Sequence, residues 1–257
     1  MKSSHFTSVT VALALLVLTA PTRAANAAEV NVLCSVGLKA VMDALAPEFE
    51  KASKNKVVVK YDLAATLKKQ IEGGAPFDLA VLTPAMVDDL IKAGKLAADS
   101  RTVIARSGLA LAIRKGAKKP DVSTSDAFKR TLLDAKSIAY AKEGASGVYF
   151  AELVQRLGIA DALKAKSTLT STGDAVNEGV THGTVELGVL PVSEILPVAG
   201  MEIGGVFPAD VQSYIVMVAG VGAQAKQSSA ARDLVKFLTA PAQLPVIKAK
   251  GMDRVAP

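Results

Sequence analysis

Residues 30–83 decide the fold: VNVLCSVGLKAVMDALAPEFEKASKNKVVVKYDLAATLKKQIEGGAPFDLAVLT. The apolar run 30–34 ends in small residues. Leu38, Val41, Met42, Leu45 and Phe49 then recur at helical spacing, and Pro47 predicts a kink or a restart in that helix. Val57-Val58-Val59 reads as a buried strand. It leads through Asp62-Leu63-Ala64-Ala65-Thr66 into a helix marked by Leu67 and Ile71, which Gly73-Gly74 stops. The run 79–82 follows, and Thr83-Pro84 opens a third helix, with Thr83 as its cap and Pro84 at its first position. Strand, helix, strand, helix, strand is the pattern of a parallel sheet. Both strand-to-helix turns are small and largely uncharged. A helix start exposes unpaired N–H groups and the positive end of the dipole. Two such starts at the carboxyl edge of one sheet predict an anion site that needs no charged side chain.

Upstream, residues 1–28 read as an export signal. Lys2 gives a basic start, residues 9–18 form an apolar core too short to span a bilayer, and Ala25-Asn26-Ala27 fits a cleavage site. The expectation is a soluble periplasmic protein that begins near Ala28. Cys34, the one cysteine, reads as a buried thiol at a strand end, so stability comes from the core and not from a disulfide.

About 230 mature residues suit one large α/β domain or two lobes. Half of the residues are hydrophobic and 4% are aromatic, which predicts a core of Val, Leu, Ala and Ile. Without Lys2 and Arg23, 28 basic residues face 24 acidic ones. The bases are spread along the chain without interleaved aromatics, which argues against a nucleic-acid partner.

The second half follows the same plan. Residues 108–113 read as a long strand, followed by a basic loop over 114–120. Phe128, Leu132 and Leu133 mark a helix, and residues 137–141 a strand. The Gly-rich turn 142–147, KEGASG, precedes a helix over 148–157. A second small polar turn, LTSTGD at 169–174, leads into a helix over 175–181. Residues 187–190 read as a strand broken by Pro191, and 214–219 as another strand. Helices over 230–238 and 244–250, separated by Pro241, close the chain. Gly220-Val221-Gly222 reads as a loop, since no helix starts there and no acidic partner follows at the spacing of a dinucleotide fingerprint.

These segments match a known family. Residues 67–78, LKKQIEGGAPFD, and residues 233–238, DLVKFL, resemble the solute-binding proteins of ABC importers, in the group that includes the periplasmic molybdate-binding proteins. Residues 108–113 resemble the family's crossover strand. The resemblance implies an α/β fold, a type II periplasmic binding protein. Its two lobes are each a mainly parallel sheet flanked by helices, and two crossover strands act as the hinge. Lobe one would hold residues 29–109 and 213–257, and lobe two residues 110–212. A small anionic ligand would sit between lobes that close on it. The closed, monomeric protein would dock on a membrane permease.

By that resemblance the ligand contacts fall on Ser35, Gly37 and Lys39; on Ala64, Ala65 and Thr66; on Ser146 and Gly147; and on Thr172 and Gly173, with Thr83 as a further hydroxyl donor. Molybdate binders usually offer serines where this chain has Gly37 and Ala64, and a tyrosine where it has Pro191. A hydrogen bond to a charged group contributes about 1.5–3 kcal/mol. The loss of three donors therefore points away from molybdate and toward a small organic acid. Taken alone, Ser35, Ser146 and Thr172 also read as turn or cap residues, Lys39 as a solvated helix residue, and Asp62 and Asp174 as helix caps.

No cofactor, metal or enzymatic activity is expected. His182 is the one histidine of the mature chain, which excludes a multi-histidine metal site. No GxSxG elbow is present.

Overall fold

The computed structural model describes residues 27–255, so the leader expected over residues 1–28 lies almost wholly outside the described residues. Strand β1 (Glu29–Ser35) pairs in parallel with β2 (Lys56–Asp62) on one side and β3 (Leu79–Leu82) on the other. Helices α1 (Lys39–Ser53) and α2 (Ala64–Glu72) make the two crossovers, and α3 (Pro84–Lys92) follows β3. After the long strand β4 (Thr102–Arg114) come α4 (Ser125–Asp134), β5 (Ile138–Ala141), α5 (Ala145–Arg156) and α6 (Ala160–Lys164). Then come β6 (Ser167–Thr170), α7 (Gly173–His182), β7 (Leu187–Pro191), α8 (Val192–Ile195) and β8 (Met201–Val206). Strand β9 (Tyr214–Val221) and helices α9 (Ser228–Leu238) and α10 (Leu244–Ala249) complete the chain.

The strands lie in the order β2-β1-β3-β9-β4-β7-β5-β6, with β8 also on β4. Strand β4 belongs to both wings of this sheet. Its first half pairs antiparallel with β9 from Thr102 to Gly108, and its second half with β7 and β8 from Leu109 onward. Beside it, residues 207–213 make the second crossing. The Gln212 side chain ties the two together: Oε1 accepts from Leu109 N at 2.7 Å, and Nε2 donates to the carbonyls of Leu109 at 3.1 Å and Phe207 at 3.3 Å.

Period-two alternation assigns each strand face to a separate layer. Val32, Cys34, Leu79 and Val81 face α1, α9 and α10, while Leu33, Ala80 and Leu82 face α2 and α3. In the second wing, Leu111 and Ile113 face Phe128 and Phe150, while Ala110 and Ala112 face Val176 and Val180 of α7.

Several local expectations change. Helix α1 continues through Pro47 to Ser53 without a restart; Pro47 sits on the exposed face of the helix. Strand β2 is an edge strand and not a buried one: it pairs with β1 alone, and Val58 is 47% exposed. Helix α5 starts at Ala145, inside the turn expected over 142–147, so Ser146 and Gly147 lie in its first turn. Strands β6 and β8 and helices α6 and α8 give no clear periodic signal, being no longer than six residues each. Pro191 is the last residue of β7, opposite Leu109, and does not break it.

The GAPFD segment has a structural role. Gly74 takes φ +87°, the left-handed conformation that ends α2. Asp78 is 3% exposed. Its Oδ2 accepts from Asn31 N and its Oδ1 from Gln227 N, both at 2.9 Å, which locks β1 to the segment entering α9.

Candidate functional site

The carboxyl ends of β1, β2, β3, β5 and β7 open on one cleft between the wings. Each strand there turns directly into a helix, so the cleft walls are helix starts. Its first chamber, about 360 Å³, is lined by Ser35, Val36 and Gly37 after β1, Leu63, Ala64 and Ala65 at the start of α2, and Thr83 at the start of α3. Across from these stand Gly144, Ala145 and Ser146 at the start of α5, and Gly173 at the start of α7. Met217 and Ile215 of β9 and Pro191 also line it. A second chamber of about 440 Å³ adjoins the first. Val36, Leu63, Gly173 and Glu194 border both.

The chamber's hydroxyls are free to serve a ligand. Ser35 is 5% exposed and Ser146 7%, and neither side chain hydrogen-bonds to another described residue. Thr83 occupies the cap position of α3 but makes no side-chain cap bond. Thr172, by contrast, spends its hydroxyl on Ala175 N at 3.2 Å as the cap of α7 and borders the second chamber alone.

Of the residues expected to touch ligand, the fold brings Ser35, Gly37, Ala64, Ala65, Thr83, Ser146 and Gly173 together around the first chamber. Thr66 lies outside both chambers. Gly147 stands behind the wall: a β-carbon there would lie 1.9 Å from the Ala141 carbonyl, so its lack of a side chain lets α5 press on the end of β5. Lys39 borders the second chamber. It is paired with Asp43 at 2.5 Å and lies 4.6 Å from the centre of the Tyr61 ring. Burial pushes Asp43 up, but hydrogen bonds from Lys39 and Tyr61 outweigh it and hold the carboxyl below its ordinary range. The Lys39 charge is thus already matched within the protein.

Glu194, on α8, is the residue that sequence reasoning missed. Its carboxyl stands where the two chambers meet. A β-carbon at Gly173 would lie 2.6 Å from its Oε2, and one at Gly37 would lie 3.9 Å from its Oε1. Glycine at position 173 is what leaves room for it; at Gly37 a β-carbon would press instead on Met217 Cε, at 3.0 Å. Its carboxylate has no hydrogen bond or ion pair with the described residues; burial first, then the charge of Asp174, raise its pKa to about 7. The neighbouring Ser193 fixes α8 to the opposite wing: Ser193 Oγ donates to the Gly37 carbonyl at 3.2 Å, and Ser193 N donates to Ser107 Oγ at 3.0 Å. At the rim stand the exposed Glu143 and Glu152, and no described Lys or Arg lines the first chamber.

Among the described residues, no group of three or more His, Cys, Asp or Glu side chains is arranged to hold a metal. No helix among them is long and apolar enough to cross a membrane. Cys34 is fully buried, and that burial raises its thiol pKa well above the ordinary value.

Comparison with known proteins agrees with this architecture. Over residues 30–253 the chain matches the sequence model of the bacterial extracellular solute-binding proteins. It is 31% identical to an aconitate isomerase from a Pseudomonas species, over 94% of each chain. It is 30% identical to the molybdate-binding protein ModA of Azotobacter vinelandii, over 89% of this chain and 91% of that one. The solved periplasmic molybdate-binding protein of Azotobacter vinelandii superposes with a TM-score of 0.75 at 21% identity, covering 89% of this chain and 99% of the other. The chain belongs to the bacterial extracellular solute-binding proteins of the molybdate-binding type.

Proposed function

We propose that the protein captures a small polycarboxylate anion in this cleft, outside the cytoplasm, and delivers it to the membrane permease of an ABC importer. Glu194 is the observation that carries the ligand class. A fully ionised oxyanion entering the first chamber would meet an unpaired carboxylate and no cationic side chain. A carboxylic ligand relieves that conflict, because two carboxyl groups held together share one proton. The remaining negative charge falls to the starts of α2 and α5 and to the hydroxyls of Ser35, Ser146 and Thr83. The 31% identity to an aconitate isomerase, a protein named for an unsaturated tricarboxylate, supports the same class.

Molybdate or tungstate is the second reading, favoured by the 30% identity to a molybdate-binding protein and by the three hydroxyls that remain in the chamber. The two separate in a thermal-shift and calorimetry panel of molybdate, tungstate, sulfate, citrate, and cis- and trans-aconitate. A ligand at one hundred times its Kd stabilises by about 2.7 kcal/mol. Stabilisation by tricarboxylates alone supports the proposal. Stabilisation by molybdate and tungstate alone overturns it.

A further inference from the structure

We propose that Glu194 transfers a proton to and from carbon on a bound unsaturated polycarboxylate, which gives the cleft an isomerase activity in addition to capture. This rests on the polycarboxylate reading above. It departs from that reading in assigning chemistry to a protein whose fold needs none.

The geometry is that of a general base waiting for substrate. The carboxyl stands at the junction of the two chambers, where the absence of a side chain at Gly173 leaves space beside it. No protein donor holds it, so both oxygens are available. Ser193, bonded to Gly37 and Ser107 of the other wing, anchors the short helix that carries it. Its titration near neutrality is the condition under which one group serves as both acid and base. The helix starts of α2 and α5 face the same chamber and stabilise negative charge as it develops on a substrate carboxylate.

The chemistry balances with that single group. The substrate carries a methylene beside a carbon–carbon double bond, with carboxylates on the three-carbon unit. The Glu194 carboxylate takes one methylene proton, and the C–H electron pair spreads over the three carbons and their carboxylates. The Glu194 carboxyl then returns the proton to the far carbon. The double bond moves by one position, nothing is oxidised or lost, and the carboxylate is regenerated. In a tricarboxylate whose two terminal carbons carry the same group, this shift interconverts the cis and trans forms.

The test is 1H NMR of cis- and trans-aconitate in D2O with the purified protein, alongside calorimetric binding of both isomers. Wild type is expected to interconvert them and to incorporate deuterium at the methylene carbon, with a rate that rises with pH as Glu194 ionises. Glu194→Gln is expected to stay folded by circular dichroism and to bind both isomers, while losing turnover by about 10²- to 10⁴-fold. Gly173→Ala, which crowds the carboxyl without removing it, should lower turnover in the same assay. Binding by wild type without interconversion above buffer overturns the activity and leaves the capture reading intact. Wild-type turnover in Glu194→Gln overturns the role of Glu194. Failure of both isomers to bind overturns the ligand reading and the activity with it.

Discussion

Gly173 and Glu194 face each other so closely that a β-carbon at position 173 would lie 2.6 Å from Glu194 Oε2. Alanine would ordinarily stabilise the first turn of a helix by about 0.5–1 kcal/mol over glycine. Here the collision reverses the sign. Gly173→Ala should weaken ligand binding by about tenfold or more. The loss should be non-additive with Glu194→Ala, which removes the atom that collides. A double-mutant cycle by calorimetry measures it; full additivity would mean that the two residues act independently.

Glu194 also makes stability depend on pH. Its folded carboxyl titrates at about 7 against an ordinary 4.5. Below the lower value both folded and unfolded chains carry the proton, and the residue has no effect. As pH rises through this window the unfolded chain releases its proton first, so folding loses up to about 3 kcal/mol by pH 8. Glu194→Gln should therefore raise stability at pH 8 and leave it nearly unchanged at pH 4. Urea unfolding at both values tests this.

Binding shares the linkage with a definite direction. The charges around Glu194 are Asp174 on α7, Lys39 paired with Asp43 on α1, Asp62 at the end of β2, and Glu143 and Glu152 at the rim of α5. A polyanion added to this set raises the Glu194 pKa further, so capture takes up protons and affinity falls as pH rises above 7. Calorimetry in two buffers of different ionisation enthalpy reads the proton uptake directly. No uptake would mean that Glu194 does not face the ligand.

Ser35→Ala and Ser146→Ala should each weaken binding by about 10- to 100-fold, the worth of one hydrogen bond to a charged group. Neither hydroxyl serves the protein itself, so the melting temperature should hold. Unchanged affinity in both variants would remove the ligand from the first chamber.

Asp78→Ala should act in the opposite way, on stability alone. It removes the acceptor of the Asn31 and Gln227 N–H groups, in two partly buried bonds to the buried Asp78 carboxylate. At about 1–3 kcal/mol for each, the loss should reach several kcal/mol in urea unfolding, with ligand affinity unchanged among the molecules that remain folded.

Sequence alone determined the alternation of strands and helices, and with it the sheet. Helical spacing in α1, small-residue turns after β1 and β2, the Gly73-Gly74 stop and Thr83-Pro84 are short-range signals, each fixed by backbone chemistry within a few residues. They also placed the helix starts that line the first chamber, from Ser35 to Gly173. Tertiary structure decided the rest. Val57-Val58-Val59 carries the composition of a buried strand, yet neighbours far along the chain left β2 at an edge. Gly147 and Ser146 are adjacent in one turn, yet one packs on Ala141 while the other faces the chamber, because only the docking of α5 on β5 distinguishes them. Glu194 is the clearest case. It sits on a helix too short to have a period, and it enters the cleft because Ser193 reaches Gly37 across 156 positions of sequence. Nothing local in the chain encodes that distance, and it sets a buried, unpaired carboxyl at the junction of the two chambers.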